Sequence, residues 1–117
     1  MTTPQYLHQQ FERCMPLFIA LGDAVRLSII EVLTREAFRH GTEGPIPFEQ
    51  YGLNVNDITS RTSLSRPAIS HHLKILKDAG LVGVRQEGTA NYYYLTLRQS
   101  NQTLMELGHR LNEFLYP

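Results

Sequence analysis

The amino-acid sequence predicts a mainly α-helical domain that carries one small β-hairpin. Three observations lead there. Two short segments of helical periodicity, beginning at Asn54 and Ser65, are separated by only a few residues. Directly after Gly80 the apolar period changes from that of a helix to that of a strand. Two β-rich runs then follow, LVGVRQ and NYYYLTL, with a glycine-containing stretch between them, the pattern of a hairpin. A chain of 117 residues with 42% apolar content can build one real core and is too short for two ordinary domains, so residues 1–117 are expected to form one.

The elements follow in order. Thr3 before Pro4 is a helix start, because a hydroxyl caps free N–H groups and proline is tolerated in the first turn. This first helix, about 4–15, is expected to end near Cys14, with Pro16 forcing a bend or restart before residues 17–21. Asp23 caps a second helix whose apolar stripe is Val25, Leu27, Ile29, Ile30, Val32 and Leu33, and which ends near Phe38. Residues 39–52 are dense in Gly and Pro and read as a long loop. Asn54 and Asp57 are spaced as a capping pair for a short helix to about Thr62, and Ser63 and Leu64 make a turn. Ser65 caps the next helix, Pro67 sits in its first turn, Ile69, Leu73 and Leu76 face inward, and Gly80 ends it. The helix-turn-helix therefore occupies about 54–79 and the hairpin, its wing, about 81–97. A last helix starts at Ser100 or Asn101 and repeats Leu104, Leu107, Leu111 and Leu115 at spacings of three and four. The whole is a winged helix-turn-helix.

Composition narrows the function. No apolar run reaches the roughly 20 residues needed to span a bilayer, so no membrane partner is expected. One cysteine, Cys14, cannot close an internal bridge and no secretory leader opens the sequence, so a reducing, cytoplasmic setting is expected. Eleven basic residues balance eleven acidic ones, yet the distribution is uneven. Residues 60–86 hold Arg61, Arg66, Lys74, Lys77 and Arg85 against Asp78 alone, a locally basic segment suited to phosphates.

A helix-turn-helix lays its second helix in the major groove, where side chains near its N-terminus reach base edges. Arg66, Ala68, Ser70, His71 and Lys74 lie opposite the apolar positions of that helix. Arg66 suits guanine O6 and N7, and Ser70 and His71 suit base edges. Arg61, Lys74 and Lys77 suit phosphates, and His72 a phosphate or a partly buried structural role. Arg85 and Thr89, with Gln86 and Asn91, lie at the hairpin, near the minor groove or its sugars. No nucleophile and base, no phosphate-cradling glycine loop and no carboxylate pair point to an enzyme. The expected partner is double-stranded DNA, and no cofactor is called for.

Three blocks, LGDAVRLSIIEVL, LNVNDITSRTSLSRPAISHHLKILKDAGLV and RQEGTANYYYL, together resemble the ArsR-type winged helix-turn-helix regulators over about residues 17–97. The resemblance implies a homodimeric repressor of prokaryotic type that binds an imperfect inverted repeat near a promoter and is released by a signal, whose nature the sequence does not name. It also exposes departures. Metal-sensing members carry two cysteines where this chain has Asn54 and Asn56, and amides are poor ligands for soft metals, so no metal site is expected there. A second metal pattern in the last helix is reduced to His109 and Glu113, because Asn101, Gln102 and Thr103 hold its early positions. The wing has Tyr94 where arginine is common, and the 39–52 loop is longer than the family norm, which together imply modest DNA affinity.

The last helix keeps a leucine stripe after the domain has closed, and Leu7, Phe11 and Met15 form a ridge on the first helix. A two-fold dimer is therefore expected through helices at about 4–15 and 101–115, using Leu7, Phe11, Leu104, Leu107, Leu111 and Leu115. Two other readings stand beside this one: a winged-helix module whose partner is a protein, and a zinc- or thiol-responsive sensor built from Cys14, His109 and Glu113. Adjacent His71 and His72 point about 100° apart on a helix and cannot share an ion. Of Tyr92, Tyr93 and Tyr94, alternate rings must face opposite sides of the hairpin, so the three cannot form one stacking platform.

Overall fold

In the computed structural model, which describes residues 3–41 and 43–117, the chain runs α1 (Pro4–Leu21), α2 (Ala24–Phe38), α3 (Val55–Ser60), α4 (Arg66–Asp78), β1 (Val82–Glu87), β2 (Ala90–Leu95) and α5 (Leu97–Leu115). Met1, Thr2 and the loop residue Thr42 lie outside the described residues. The predicted architecture, mainly helical with an antiparallel hairpin after the helix-turn-helix, is the one observed.

The expected caps are present. Thr3 Oγ1 accepts from Tyr6 N, Asp23 Oδ1 accepts from Val25 N and Arg26 N, and Ser65 Oγ accepts from Ala68 N. Asn54 and Asp57 form a reciprocal capping box, with Asn54 Oδ1 accepting from Asp57 N at 2.8 Å. Gly80 takes φ +78°, the left-handed conformation that closes α4 without steric cost.

Two boundaries differ from expectation. α1 does not stop at Cys14 but continues through Pro16 to Leu21. Proline removes one helical hydrogen bond and crowds the preceding turn, but past it Leu17 and Ala20 continue the stripe begun by Gln10 and Cys14 and enter the core. Burial outweighs the lost bond. α5 starts at Leu97, earlier than Ser100, and has no side-chain cap, because Thr96 Oγ1 donates instead to Gly80 O. The helix start is set by anchoring to the end of α4, which no local motif announces.

The core joins Leu17 and Ala20 of α1, Ile29 and Leu33 of α2, Ile58 of α3, Ile69, Leu73 and Leu76 of α4, and Leu81, Val82 and Leu95 around the hairpin. β1 pairs with β2 from Val82↔Leu95 to Glu87↔Ala90, leaving a two-residue turn in which Gly88 has φ +62°. Leu53, just before α3, exchanges two backbone hydrogen bonds with Tyr93, so the wing is bonded to the entrance of the helix-turn-helix. The register puts Val82, Val84, Tyr93 and Leu95 on one face, and Gly83, Arg85, Tyr92 and Tyr94 on the other. Tyr93 is packed against the core. The Tyr94 ring fills the space over Gly83, where a Cβ would come within 2.8 Å of it.

The 39–52 loop is tied down more than its composition suggests. It holds a 3-10 turn, Phe48–Gln50, and a stack of His40 on Tyr51 with ring centres 4.0 Å apart. At the other end of the chain, α5 lies on α1. Cys14 is fully buried with its Sγ 3.7 Å from Thr103 O, and the Arg110 guanidinium sits 5.2 Å from the Tyr6 ring centre. Leu107, expected at a dimer contact, is only 6% exposed and belongs to this seam within the chain.

Candidate nucleic-acid interface

The buried side of α4, Ile69, Leu73 and Leu76, fixes the rotation of the helix, and its other side is thereby turned outward. Arg66, Ser70, His71, Lys74 and Lys77 are exposed there, and Ala68 is half-buried. At a rise of 1.5 Å per residue, Arg66 to Lys77 spans about 16 Å, enough to track a short stretch of groove. Arg66 is the first residue of the helix, where a side chain reaches deepest into a groove that the helix enters by its N-terminus.

The basic residues are not equivalent, because most are already held by carboxylates. Arg61 donates to Glu36 at 3.2 Å, in a cluster where Glu36 also meets Arg39 at 3.0 Å and His40 at 3.7 Å. Lys74 pairs with Asp78 at 3.4 Å. Arg85 donates through Nε to Glu87 at 2.7 Å and through Nη1 to Glu49 O at 2.7 Å, and lies 5.7 Å from the Tyr94 ring centre. Arg66 instead donates to a neutral side chain, the amide oxygen of Asn56 on α3. Thr89 is exposed at the hairpin tip, flanked by exposed Gln86 and Asn91.

Two of the expected contacts are thereby recast. His72 does not stand with His71 on the outer side. It is half-buried, its Nδ1 3.3 Å from Arg26 Nη1, and Arg26 is itself locked to the end of α1 by bonds to Ala20 O and Ile19 O. Its place is structural, joining α4 to α2, as the roughly 100° turn between neighbours requires. Arg61 has its charge engaged by Glu36 and serves first as a strut between α3 and α2.

Glu36 is the carboxylate that sequence patterning missed: Arg39 and His40 stand at local helical spacings from it, but the pair with Arg61 that ties α2 to α3 is not local. Its side chain is 12% exposed. Burial pushes its pKa up, but the Arg61 hydrogen bond and the charges of Arg39, Arg61 and His40 win, and the net position is below the usual carboxylate range. A group with a lowered folded pKa stabilises the fold above its unfolded pKa and loses that contribution as pH falls through the acid range. Glu36→Gln should therefore cost about 1–2 kcal/mol at neutral pH, tempered by the exposed partners, and should flatten the acid limb of melting temperature against pH. Identical limbs for the two proteins would refute the hub. Asp23 also lies low, chiefly through its backbone hydrogen bond from Arg26, as an N-cap carboxylate should.

The residues of the sensor reading are not gathered within one chain. Cys14 meets α5 at Thr103, whereas His109, 3.7 Å from Glu113, lies six residues further, about 9 Å along the helix. Asn54 is occupied as a helix cap and Asn56 as the acceptor for Arg66.

Comparison with known proteins agrees with this geometry. The family model described as bacterial regulatory protein, arsR family, matches residues 49–84, which run from the end of the loop through the helix-turn-helix into β1. An HTH-type transcriptional regulator of Methanocaldococcus jannaschii is 36% identical over 87 residues, covering 74% of this chain and 82% of that protein. The transcriptional repressor SdpR of Bacillus subtilis is 40% identical over 79 residues, covering 68% of this chain and 71% of its own. Among solved structures, an ArsR-like transcriptional regulator from Rhodococcus sp. RHA1 superposes with a TM-score of 0.67 at 24% identity over 97% of this chain and 86% of that one, a likeness of fold.

Proposed function

The chain belongs to the ArsR family of winged helix-turn-helix, DNA-binding transcription regulators, which are not enzymes, and from that premise we propose that it is a homodimeric repressor that reads an imperfect inverted repeat in double-stranded DNA. The observation that carries the proposal is the outer side of α4, where Arg66, Ser70, His71, Lys74 and Lys77 stand together opposite a fully buried apolar side. Arg66 and His71 address base edges, and Ser70 and Ala68 line the approach to them. Lys77, and Lys74 once released from Asp78, hold phosphates. Arg85 and Thr89 on the hairpin reach the flanking backbone. Arg61 joins only if DNA draws it from Glu36, and His72 contributes by holding α4 in place.

The dimer rests on apolar surface that α1 and α5 leave uncovered after packing on each other. Phe11 is 42% exposed, Leu104 37% and Leu115 65%, with Leu7 and Leu111 half-buried beside them. Leu107 supports this face from beneath. The repressor assignment is supported by the relative named as one.

Selection of bound sequences from a random DNA pool tests the proposal. A site of two half-sites related by a two-fold axis, about 34 Å apart, is expected, with affinity falling steeply as salt rises. In cells, removing the protein should raise transcription from a promoter bearing that site. An asymmetric or absent consensus, or salt-independent binding, would count against it. The donor set also predicts indifference to zinc, cadmium and arsenite, because amides replace the thiolates and both are engaged within the fold. Operator binding that collapses at micromolar-order metal and returns with chelator would show a sensor instead.

A further inference from the structure

We propose that Asn56, on the first helix of the motif, is the positioning residue that gives Arg66 its base specificity. This deepens the reading of Arg66 as a base-contacting residue and rests on it. Asn56 and Arg66 lie ten residues apart, on the first turns of α3 and α4, and a hydrogen bond from Arg66 Nη1 to Asn56 Oδ1 joins them. Both residues are exposed, so burial does not account for the contact.

The chemistry of the acceptor gives the contact its purpose. Arg61, Lys74 and Arg85 are each held by a carboxylate that offsets their charge. Asn56 is a neutral amide, so it restrains the guanidinium and leaves the cation whole. Arginine has five donors in a rigid fork. With Nη1 anchored on Asn56, the adjacent Nε and Nη2 donors form a free edge that matches guanine N7 and O6. An unrestrained arginine would have to surrender rotamer freedom on binding and could turn to a nearby phosphate instead. Anchoring removes part of that cost before DNA arrives and disfavours the unspecific alternative.

The test is a set of variants in the full chain, Asn56→Ala, Asn56→Asp, Arg66→Ala and the double Asn56→Ala/Arg66→Ala, each titrated against the selected operator and against operators altered one base pair at a time. Asn56→Ala should lower discrimination at the base pair read by Arg66 by roughly tenfold, the scale of one hydrogen bond to a charged group, with binding to random DNA little changed. In the Arg66→Ala background the same substitution should have no effect. Asn56→Asp keeps an acceptor but offsets the charge, so it should retain the preferred base while weakening binding to all sequences and making the salt slope shallower. Circular dichroism melts verify that each variant is folded. If Arg66→Ala alters discrimination and Asn56→Ala does not, Asn56 is not a positioning residue. If Arg66→Ala leaves discrimination intact at every base pair, the underlying assignment of Arg66 fails instead, and this inference with it.

Discussion

Phe11→Glu combined with Leu104→Glu should turn the proposed dimer into a folded monomer that loses its operator. Both side chains are substantially exposed on the single chain, so a charge at either position costs that chain little. In the dimer the same charges would be buried against apolar surface without partners, at several kcal/mol. In the proposed dimer, operator affinity depends on two half-sites being held at once. Its loss should therefore take binding from the range of specific complexes toward that of non-specific ones, a fall of at least about a thousandfold. Sedimentation and operator titration of the same sample read both effects. Leu107→Glu is a poor substitute, because Leu107 lies in the α1–α5 seam and its loss would unfold the helix pair itself. A wild-type chain that sediments as a monomer while binding its operator with full affinity would overturn the arrangement.

Arg66→Ala and His71→Ala should each relax selectivity at particular base pairs, by about 1–3 kcal/mol for a well-made contact. Lys77→Ala should weaken all sequences alike and reduce the slope of log affinity against log salt by about one. Lys74→Ala should do the same to a smaller degree, because Asp78 already offsets part of that charge. The contrast is the decisive measurement: equal losses on operator and random DNA for Arg66→Ala and His71→Ala would remove them from base reading and leave α4 as a phosphate-binding element.

The His71–His72 pair shows how far a local pattern reaches. Helical geometry alone separates the two rings, and the structure places one outward and the other on Arg26. Which of the two faces outward is decided by Ile69, Leu73 and Leu76, and those are legible as an apolar stripe. That His72 meets Arg26 depends on α2 crossing α4, a contact between residues 46 positions apart. Glu36 is illegible for the same reason: its partner Arg61 lies 25 residues away, and only packing of α2 beside α3 brings them together.

Features that depend on neighbours along the chain are legible from residue order alone. The caps at Thr3, Asp23, Asn54 and Ser65, the left-handed Gly80, the hairpin and the outward side of α4 all arise from interactions within a few residues. Tertiary structure decided the rest. α1 runs through Pro16 because the surface it buries is worth more than one hydrogen bond. α5 begins at Leu97 because Thr96 is bonded to the end of α4. Most of the basic side chains counted toward a DNA-binding face prove to be held by carboxylates, two of them close in sequence and one, Glu36, brought from a segment 25 residues away, where a count of charges along the chain does not place it.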